Sequence, residues 1–524
     1  MSRLAKSAGL IGAATLTSRV LGVARETVLA ALFGAGNEMD AFNVAFRVPN
    51  LLRDLFAEGA ISAALVPTFT RTLAARGRDG AWRLGNLVVN ALIAITLIVV
   101  IAGWLAAPWL ARTFAPEYAI VPGKLELTTL LIRIMLPFLT LLAIGVAMMG
   151  MLNTLRRFFI PAVSPAMFNV ATLFAAFALV PLMPRLGWPR IAAIAIGTIL
   201  GGLGQIAIQW PVLRREGWRY SPVLDTGDAD LREVIRLMGP ATIGLAAVQF
   251  NVFVNTVLAT GEGTGAVSWL NYAFRLMYLP IGLFGVSIGT AALPEISRHT
   301  ATADIVGLRQ TVANALRLTI VLNVPATIGL VVLARPIVSL LLERGRFGPD
   351  DTAATAAALI CYAPGLVGYA AVKIASPTFY ALRDSRTPVV VSAVAVAVNI
   401  ALNLVLVRAM GFTGLALGTT IAAIVHAALL LWLLHGRVGG IGGRENWRVF
   451  TLITIASIAM GAAAWGSEHV LDAAVAGHST IVRGLRVFTS IGVGLAVLVA
   501  AAHLLHIDEF KNAVRGVTAR LWPS

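Results

Sequence analysis

Fourteen apolar segments divide this chain, at about 8–33, 40–67, 86–110, 127–151, 160–182, 190–213, 236–260, 267–293, 312–333, 354–382, 388–407, 413–434, 449–470 and 484–505. A helix needs roughly 20 apolar residues to cross a hydrocarbon core, and within lipid only helices and closed barrels satisfy their own backbone hydrogen bonds. Segments of this length and number predict an all-α polytopic membrane protein with fourteen transmembrane helices. Composition agrees, since 58% of the 524 residues are hydrophobic and 13% charged, against roughly 25% charged in soluble domains. The lone cysteine, Cys361, excludes an intramolecular disulfide and a cysteine-rich metal site. Arg3 and Lys6 precede the first segment as they would a signal peptide, but Arg19, Arg25 and Glu26 interrupt it and no small-residue cleavage site stands out. It is therefore expected to persist as a span.

Basic residues in the intervening loops set orientation. With both termini on the cytoplasmic side, that side carries 23 Lys and Arg and the opposite side 10. An even number of spans is what this arrangement requires. The net charge of +16 therefore reads as loop charge facing anionic lipid, not as a nucleic-acid surface.

An internal repeat runs at an offset of 227 to 228 residues. Ala45-Phe46-Arg47 recurs as Ala273-Phe274-Arg275, Leu55-Phe56 as Leu283-Phe284 and Ala63-Ala64-Leu65 as Ala291-Ala292-Leu293. Pro137, Leu155, Arg156 and Pro161 recur as Pro364, Leu382, Arg383 and Pro388. The unit is six spans, an even number, so the halves are expected to be parallel repeats of the kind used by alternating-access transporters. The expected division is 1–235 for a first lobe, 236–446 for a second, and 447–524 for two additional helices and a cytoplasmic tail.

Eight basic residues fall inside the spans: Arg19, Arg25, Arg47, Arg53, Arg133, Arg275, Arg317 and Lys373. Charge at mid-bilayer costs at least about 2.5–3.5 kcal/mol, so each needs a reason. For Arg133, Arg317 and Lys373, snorkelling to an interface or local pairing is enough. Four of the others crowd spans 1 and 2, and Arg275 occupies span 8, the repeat partner of span 2. The acids Glu26, Asp40, Asp54 and Glu58 offset part of this charge. Arg19 and Arg25, six residues apart, lie about 120° apart around an ideal helix. Bending at Gly12, Gly22 or Gly34 would bring them toward one cavity. A water-filled cationic cavity is the simplest structure that holds such a cluster, and its all-arginine make-up favours phosphate or pyrophosphate, which the planar guanidinium pairs bidentately. No P-loop or Walker lysine is present, so ATP hydrolysis is not expected, nor any cofactor or enzymatic activity. In the C-terminal half Asn399 and Asn403 share a helical face, and with Asn255 and Thr419 they offer oxygens either to an ion or to neighbouring helices. Glycine pairs Gly197/Gly201 and Gly285/Gly289 are expected to pack spans of one chain together.

Several of these stretches carry a resemblance. SRVLGVARE at 18–26, FGAG at 33–36, DAFNVAFRVPNLLRDLFAEGAISAALVP at 40–67, SWLNYAFRLMYLP at 268–280 and GTAALP at 289–294 resemble the MurJ/MviN family of lipid II flippases, within the multidrug/oligosaccharidyl-lipid/polysaccharide exporter superfamily. The resemblance spans the chain. It implies two six-helix lobes about a cationic cavity, with helices 13 and 14 forming a hydrophobic groove. The implied substrate is undecaprenyl pyrophosphate bearing a disaccharide pentapeptide, moved from the cytoplasmic to the periplasmic leaflet of the inner membrane. It also implies substrate-binding roles for Arg19, Arg25, Arg53 and Arg275, with Asp40 the essential acid of span 2, Glu26 following the second arginine, and Arg47 where relatives carry Lys or Arg. Phe274 stands where many relatives have Asp. Some relatives bind Na⁺ with acids near Asn255, Asn399, Asn403 and Thr419; the missing carboxylates argue for a proton or membrane-potential drive instead. The expected partners are lipid II and membrane lipids, with other cell-wall synthesis proteins as candidates, and the expected state is a monomer. The alternatives are a flippase for another polyprenyl-pyrophosphate-linked oligosaccharide, a drug/cation antiporter of the same superfamily, which wants an acidic cavity, and a membrane glycosyl- or phosphotransferase, which wants paired carboxylates and a metal-binding loop.

Overall fold

A computed structural model describes residues 3–54, 61–475, 477 and 479–510. Glu58, one of the acids set against the arginine cluster, lies outside them. The described residues fold as helices, with no strand. They form two compact units, Met1–Ser268 with Arg344–Phe347, and Trp269–Glu343 with Gly348–Ser524.

The first unit contains α1 (Arg3–Phe33), α2 (Asn37–Arg53), α3 (Ser62–Leu105), α4 (Ala107–Phe114), α5 (Lys124–Met135), α6 (Phe138–Thr154), α7 (Phe159–Val163), α8 (Ala166–Phe174), α9 (Ala192–Arg215) and α10 (Ala229–Thr260). Its core joins α3 and α6 through Leu65, Phe69, Leu87, Val146, Met148 and Met151. Close helix approach depends on small residues: a Cβ on Gly197 would meet the Cβ of Ala175 at 2.7 Å, and one on Gly201 the Cα of Phe168 at 2.9 Å. That glycine pair packs α9 on α8, inside one chain. The segment between spans 2 and 3 is helical rather than a loop, because α3 runs through it with one break at Gly77, whose φ of 68° is costly for any other residue. Its arginines find acids across the unit: Arg71 pairs with Glu233 at 2.9 Å, Arg76 with Asp230 at 3.1 Å, and Arg83 with Asp225 at 3.1 Å. Arg157 binds Glu216 at 2.8 Å.

The second unit contains most of α11 (Ala266–Pro280), then α12 (Val286–Ala301), α13 (Ile305–Val332), α14 (Ala334–Leu342), α15 (Pro349–Tyr362), α16 (Gly365–Ala381), α17 (Arg386–Met410), α18 (Phe412–Val438), α19 (Gly443–Ala474) and α20 (Thr480–Leu504). One core joins α12, α13, α16 and α18. Another attaches the additional pair α19 and α20 to α13 through Val321, Val324, Ile453, Met460 and Leu498. The outer faces of that pair stay apolar and exposed, with Ile458, Leu485, Phe488 and Val499 directed away from the core, as lipid-facing surface should be.

The repeat is written into local backbone geometry. α6 starts after Pro137 and α16 after Pro364. Both end on a left-handed arginine, Arg156 at φ 59° and Arg383 at φ 60°. In each case the next N–H reaches five residues back to a carbonyl: Arg157 to Leu152 and Asp384 to Phe379, both 2.9 Å. This is the Schellman closure, made by arginine in both units.

Nine described helical spans are long and apolar enough to cross a membrane, and α15 with α16, bent by 45°, makes a tenth. The other four sequence-read spans fall on α1, α2, α7–α8 and α10, which are helical but carry internal charge or breaks. α8 passes into a π-helical turn at Ala175–Leu179. α1 is helical without interruption to Phe33, so Gly12 and Gly22 do not unwind it. Gly34 follows it with φ 62°.

Candidate functional site

Helix α1 presents Arg19 and Arg25, both partly buried. The Arg25 Nε donates to Glu26 Oε1 at 3.1 Å, and its guanidinium lies 5.0 Å from the centre of the Phe168 ring. Charge and cation–π contact together hold a planar cation in an apolar helix wall. On α2, Arg53 repeats the arrangement: Nε and Nη2 both donate to Asp54 Oδ1, at 2.9 and 2.7 Å. Gln249 donates to the other Asp54 oxygen at 3.1 Å. In both pairs the Nε–Nη2 edge is turned to the adjacent acid. Arg47 lies partly buried on α2.

Asp40 is placed differently from these arginines. Its side chain is fully buried, and it accepts from Lys124 Nζ at 3.0 Å, from the Gly265 N–H at 2.7 Å, and from Ser268 through both N–H (3.1 Å) and Oγ (2.7 Å). Lys124 is 3% exposed and sits 4.0 Å from the Tyr118 ring centre. Asn43, one turn on from Asp40, donates to the same Ser268 Oγ at 3.1 Å. The structure thus makes Asp40 the centre of a buried ion pair that ties α2 to α5 and to the residues leading into α11. In the sequence Lys124 falls between the third and fourth apolar segments and reads as outer-loop charge.

In the second unit Arg275 is partly buried on α11. Its neighbour Phe274 packs against Tyr278, Tyr362 and Tyr369, with ring centres 5.8, 5.4 and 6.3 Å apart. The repeat partner Phe46 packs likewise on Phe42, Phe138 and Phe168, at 5.9, 6.4 and 5.8 Å. Phenylalanine before the arginine therefore builds an aromatic cluster in each unit. The arginines read as incidental are accounted for locally: Arg133 lies over Trp104 at 4.7 Å, and Arg317 pairs with Glu445 at 2.9 Å.

The polar residues of the C-terminal half are partly brought together. Asn403 donates to Asn399 at 3.2 Å, and Asn399 to Thr419 Oγ1 at 3.4 Å, linking α17 to α18. A Cβ on Gly418 would lie 2.0 Å from Asn403 Oδ1, so glycine there admits the amide. Asn255 lies on α10, in the first unit. Among the described residues no group of three His, Cys, Asp or Glu is arranged to hold a metal.

The fold is that of a many-helix membrane protein that keeps arginines within its apolar helices, with Arg25 and Arg53 each paired to the carboxylate of the next residue. The family profile described as "Lipid II flippase MurJ" matches residues 29–484. A protein of Vibrio cholerae described as a probable lipid II flippase MurJ is 34% identical over 520 residues, covering 96% of this chain and 97% of the other. The lipid II flippase MurJ of Burkholderia cenocepacia is 35% identical over 427 residues, covering 81% and 82%. This chain belongs to the MurJ family. Its fold is also that of a solved lipid II flippase MurJ in an inward closed conformation, with TM-score 0.77 and 24% identity over 95% of this chain and 99% of the other. An inward-facing multidrug transporter of the MATE family shares the fold more distantly, with TM-score 0.68 and 16% identity over 80% and 94%.

Proposed function

We propose that this protein is a lipid II flippase, moving undecaprenyl-pyrophosphate-linked disaccharide pentapeptide from the cytoplasmic to the periplasmic leaflet of the inner membrane by alternating access. The observation that carries the reading is the set of arginines within apolar helices. Arg25, Arg53 and Arg275 grip the pyrophosphate, with Arg19 and Arg47 adding field and Glu26 and Asp54 balancing the site when it is empty. Release then needs no separate counter-ion, because each acid reclaims its guanidinium as the substrate leaves. Phosphate suits this exchange, since a guanidinium fork pairs with it as well as with a carboxylate. The polyprenyl tail stays in lipid along the apolar faces of α19 and α20. Both termini are cytoplasmic, and a membrane potential or proton gradient supplies the drive.

The test is translocation of lipid II into the outer leaflet of proteoliposomes holding the purified chain, with and without an imposed potential. Transport that responds to the potential is expected. Absence of translocation under either condition overturns the assignment. An antiporter for cationic drugs, the alternative on this fold, would need acid where this chain places arginine.

A further inference from the structure

Of the eight basic residues inside the spans, Lys373 is the one that makes no hydrogen bond, ion pair or ring contact with any described residue, and it is exposed. The other seven each have such a contact. Lys373 sits on α16 eight residues, about 12 Å, before the helix ends at Ala381. The loop charges place that end at the cytoplasmic face. The snorkelling expected of Lys373 runs against helix geometry, because helical side chains lean toward the N-terminus of their own helix. Here that lean carries the ammonium away from the nearer interface and into the bilayer. A lysine so directed needs water and an anion within reach.

Its side of the helix is fixed by neighbours. Lys373 follows Tyr369 by one turn, about 40° round α16, whereas the core residues Ala371, Ala375 and Phe379 lie at least about 120° away. Tyr369 packs on Phe274 of α11, with ring centres 6.3 Å apart, and Phe274 directly precedes Arg275. The Lys373 side of α16 is thus the side turned to the arginine-bearing helix. Close helix approach holds it there. A Cβ on Gly289 would stand 2.7 Å from the Lys373 carbonyl oxygen, and one on Gly285 3.1 Å from the Ala370 Cβ. The glycine pair therefore seats α12 on α16 beside the lysine. The repeat, at its offset of 227, puts Val146 at the corresponding place in the first unit. Val146 is 6% exposed and belongs to the core. Packing at this position is met by an apolar side chain, so the charge is particular to the second unit and has another purpose.

We infer that Lys373 binds a carboxylate of the substrate's peptide. The inference rests on the flippase reading, in which Arg275 holds the pyrophosphate. Lys373 lies a turn to the cytoplasmic side of the tyrosine that meets Phe274, where the sugars and peptide extend from that group. Residue type agrees with the division. The groups assigned to the pyrophosphate are arginines, whose fork matches phosphate, while lysine is a compact charge on a flexible stem, suited to one carboxylate on a chain that moves. The test is native mass spectrometry of the full chain in mild detergent, with lipid II or with its analogue lacking the peptide, undecaprenyl pyrophosphate bearing the disaccharide alone. Lys373→Gln should lower retention of lipid II about ten-fold, the loss of one charge-assisted hydrogen bond, and leave retention of the analogue unchanged. Lys373→Arg should keep most of the lipid II retention. An equal loss of both ligands in Lys373→Gln would put the charge on the pyrophosphate or in the fold and overturn the inference. Lipid II retention unchanged in that variant, or absent in the unaltered chain, overturns it as well. Binding is read here without transport, so the translocation test can fail while this one succeeds, and the two readings fall separately.

Discussion

Asp40 separates two meanings of an intramembrane acid. A carboxylate that faces substrate should tolerate Asn with the fold intact, whereas the observed Asp40 holds a buried lysine and two backbone N–H groups. Leaving one partner of such a pair without the other costs about 3–5 kcal/mol. Lys124→Met alone should therefore lower the thermal midpoint of the purified protein more than the double change Asp40→Asn/Lys124→Met, read by a fluorescence melt in detergent. Equal melting of the two variants would mean that the pair is not coupled. Arg275 offers the complementary case. Arg275→Glu should abolish growth complementation while membrane insertion persists, and Arg275→Lys should restore it in part, because a point charge replaces only some of the fork. Membrane residues of the two kinds look alike in sequence. Arg25 and Arg53 were legible because each interrupts an apolar run. Lys124 was not, because a buried lysine following Pro122-Gly123 has the spelling of a loop lysine, and its partner is 84 residues away.

Pro137/Pro364 and Arg156/Arg383 were legible as repeated residues, but the helix starts and ends they set were not, since 127–151 and 354–382 read as unbroken spans where the structure begins new helices after the two prolines. The continuity of α3 was not legible, because the polar stretch around Arg71–Arg83 reads as a loop until the acids of α10 and of the segment between α9 and α10 are placed beside it. Two loop carboxylates make a pH prediction. Asp384 accepts from the Thr387 N–H at 3.0 Å and Asp304 from the Gly307 N–H at 2.9 Å, and these bonds, with Thr387 Oγ1 and His299 adding to them, hold both acids below the ordinary aspartate value. A lowered folded value means that the cap contributes fully above the ordinary value and is lost as pH falls through the lowered one. Amide exchange in the first turns of α13 and α17 should therefore stay protected at pH 5 and rise only below about pH 4; exchange that rises between pH 7 and 5 would contradict it. Packing of the additional helices gives a second test. A Cβ on Gly461 would meet Ile328 Cγ2 at 2.8 Å, and one on Gly494 the Cβ of Ala464 at 3.2 Å. Gly461→Leu should loosen α19 from α13, seen as faster proteolysis after α18, with the first unit unaffected.

The whole molecule was legible as a repeat and as a membrane protein, because both follow from patterns that tens of residues share. Orientation is a prediction at this scale. With Cys361 replaced by Ala, a cysteine introduced at Gly440 should react with an impermeant maleimide only after the inner face is opened, and one at Gly477 in intact spheroplasts; the reverse pattern would invert the assignment. The compact units were less legible, because four residues, Arg344–Phe347, belong to the first unit although the chain on either side belongs to the second. They are held there by the Arg346 N–H to the Ala31 carbonyl at 2.9 Å and by Arg346 to Glu38 at 2.8 Å. A Cβ on Gly345 would stand 2.2 Å from that carbonyl, so this crossing admits no other residue without moving. A cut between Ser268 and Trp269 would therefore give a first polypeptide lacking Arg344–Phe347, a piece of its own unit that only the second polypeptide encodes.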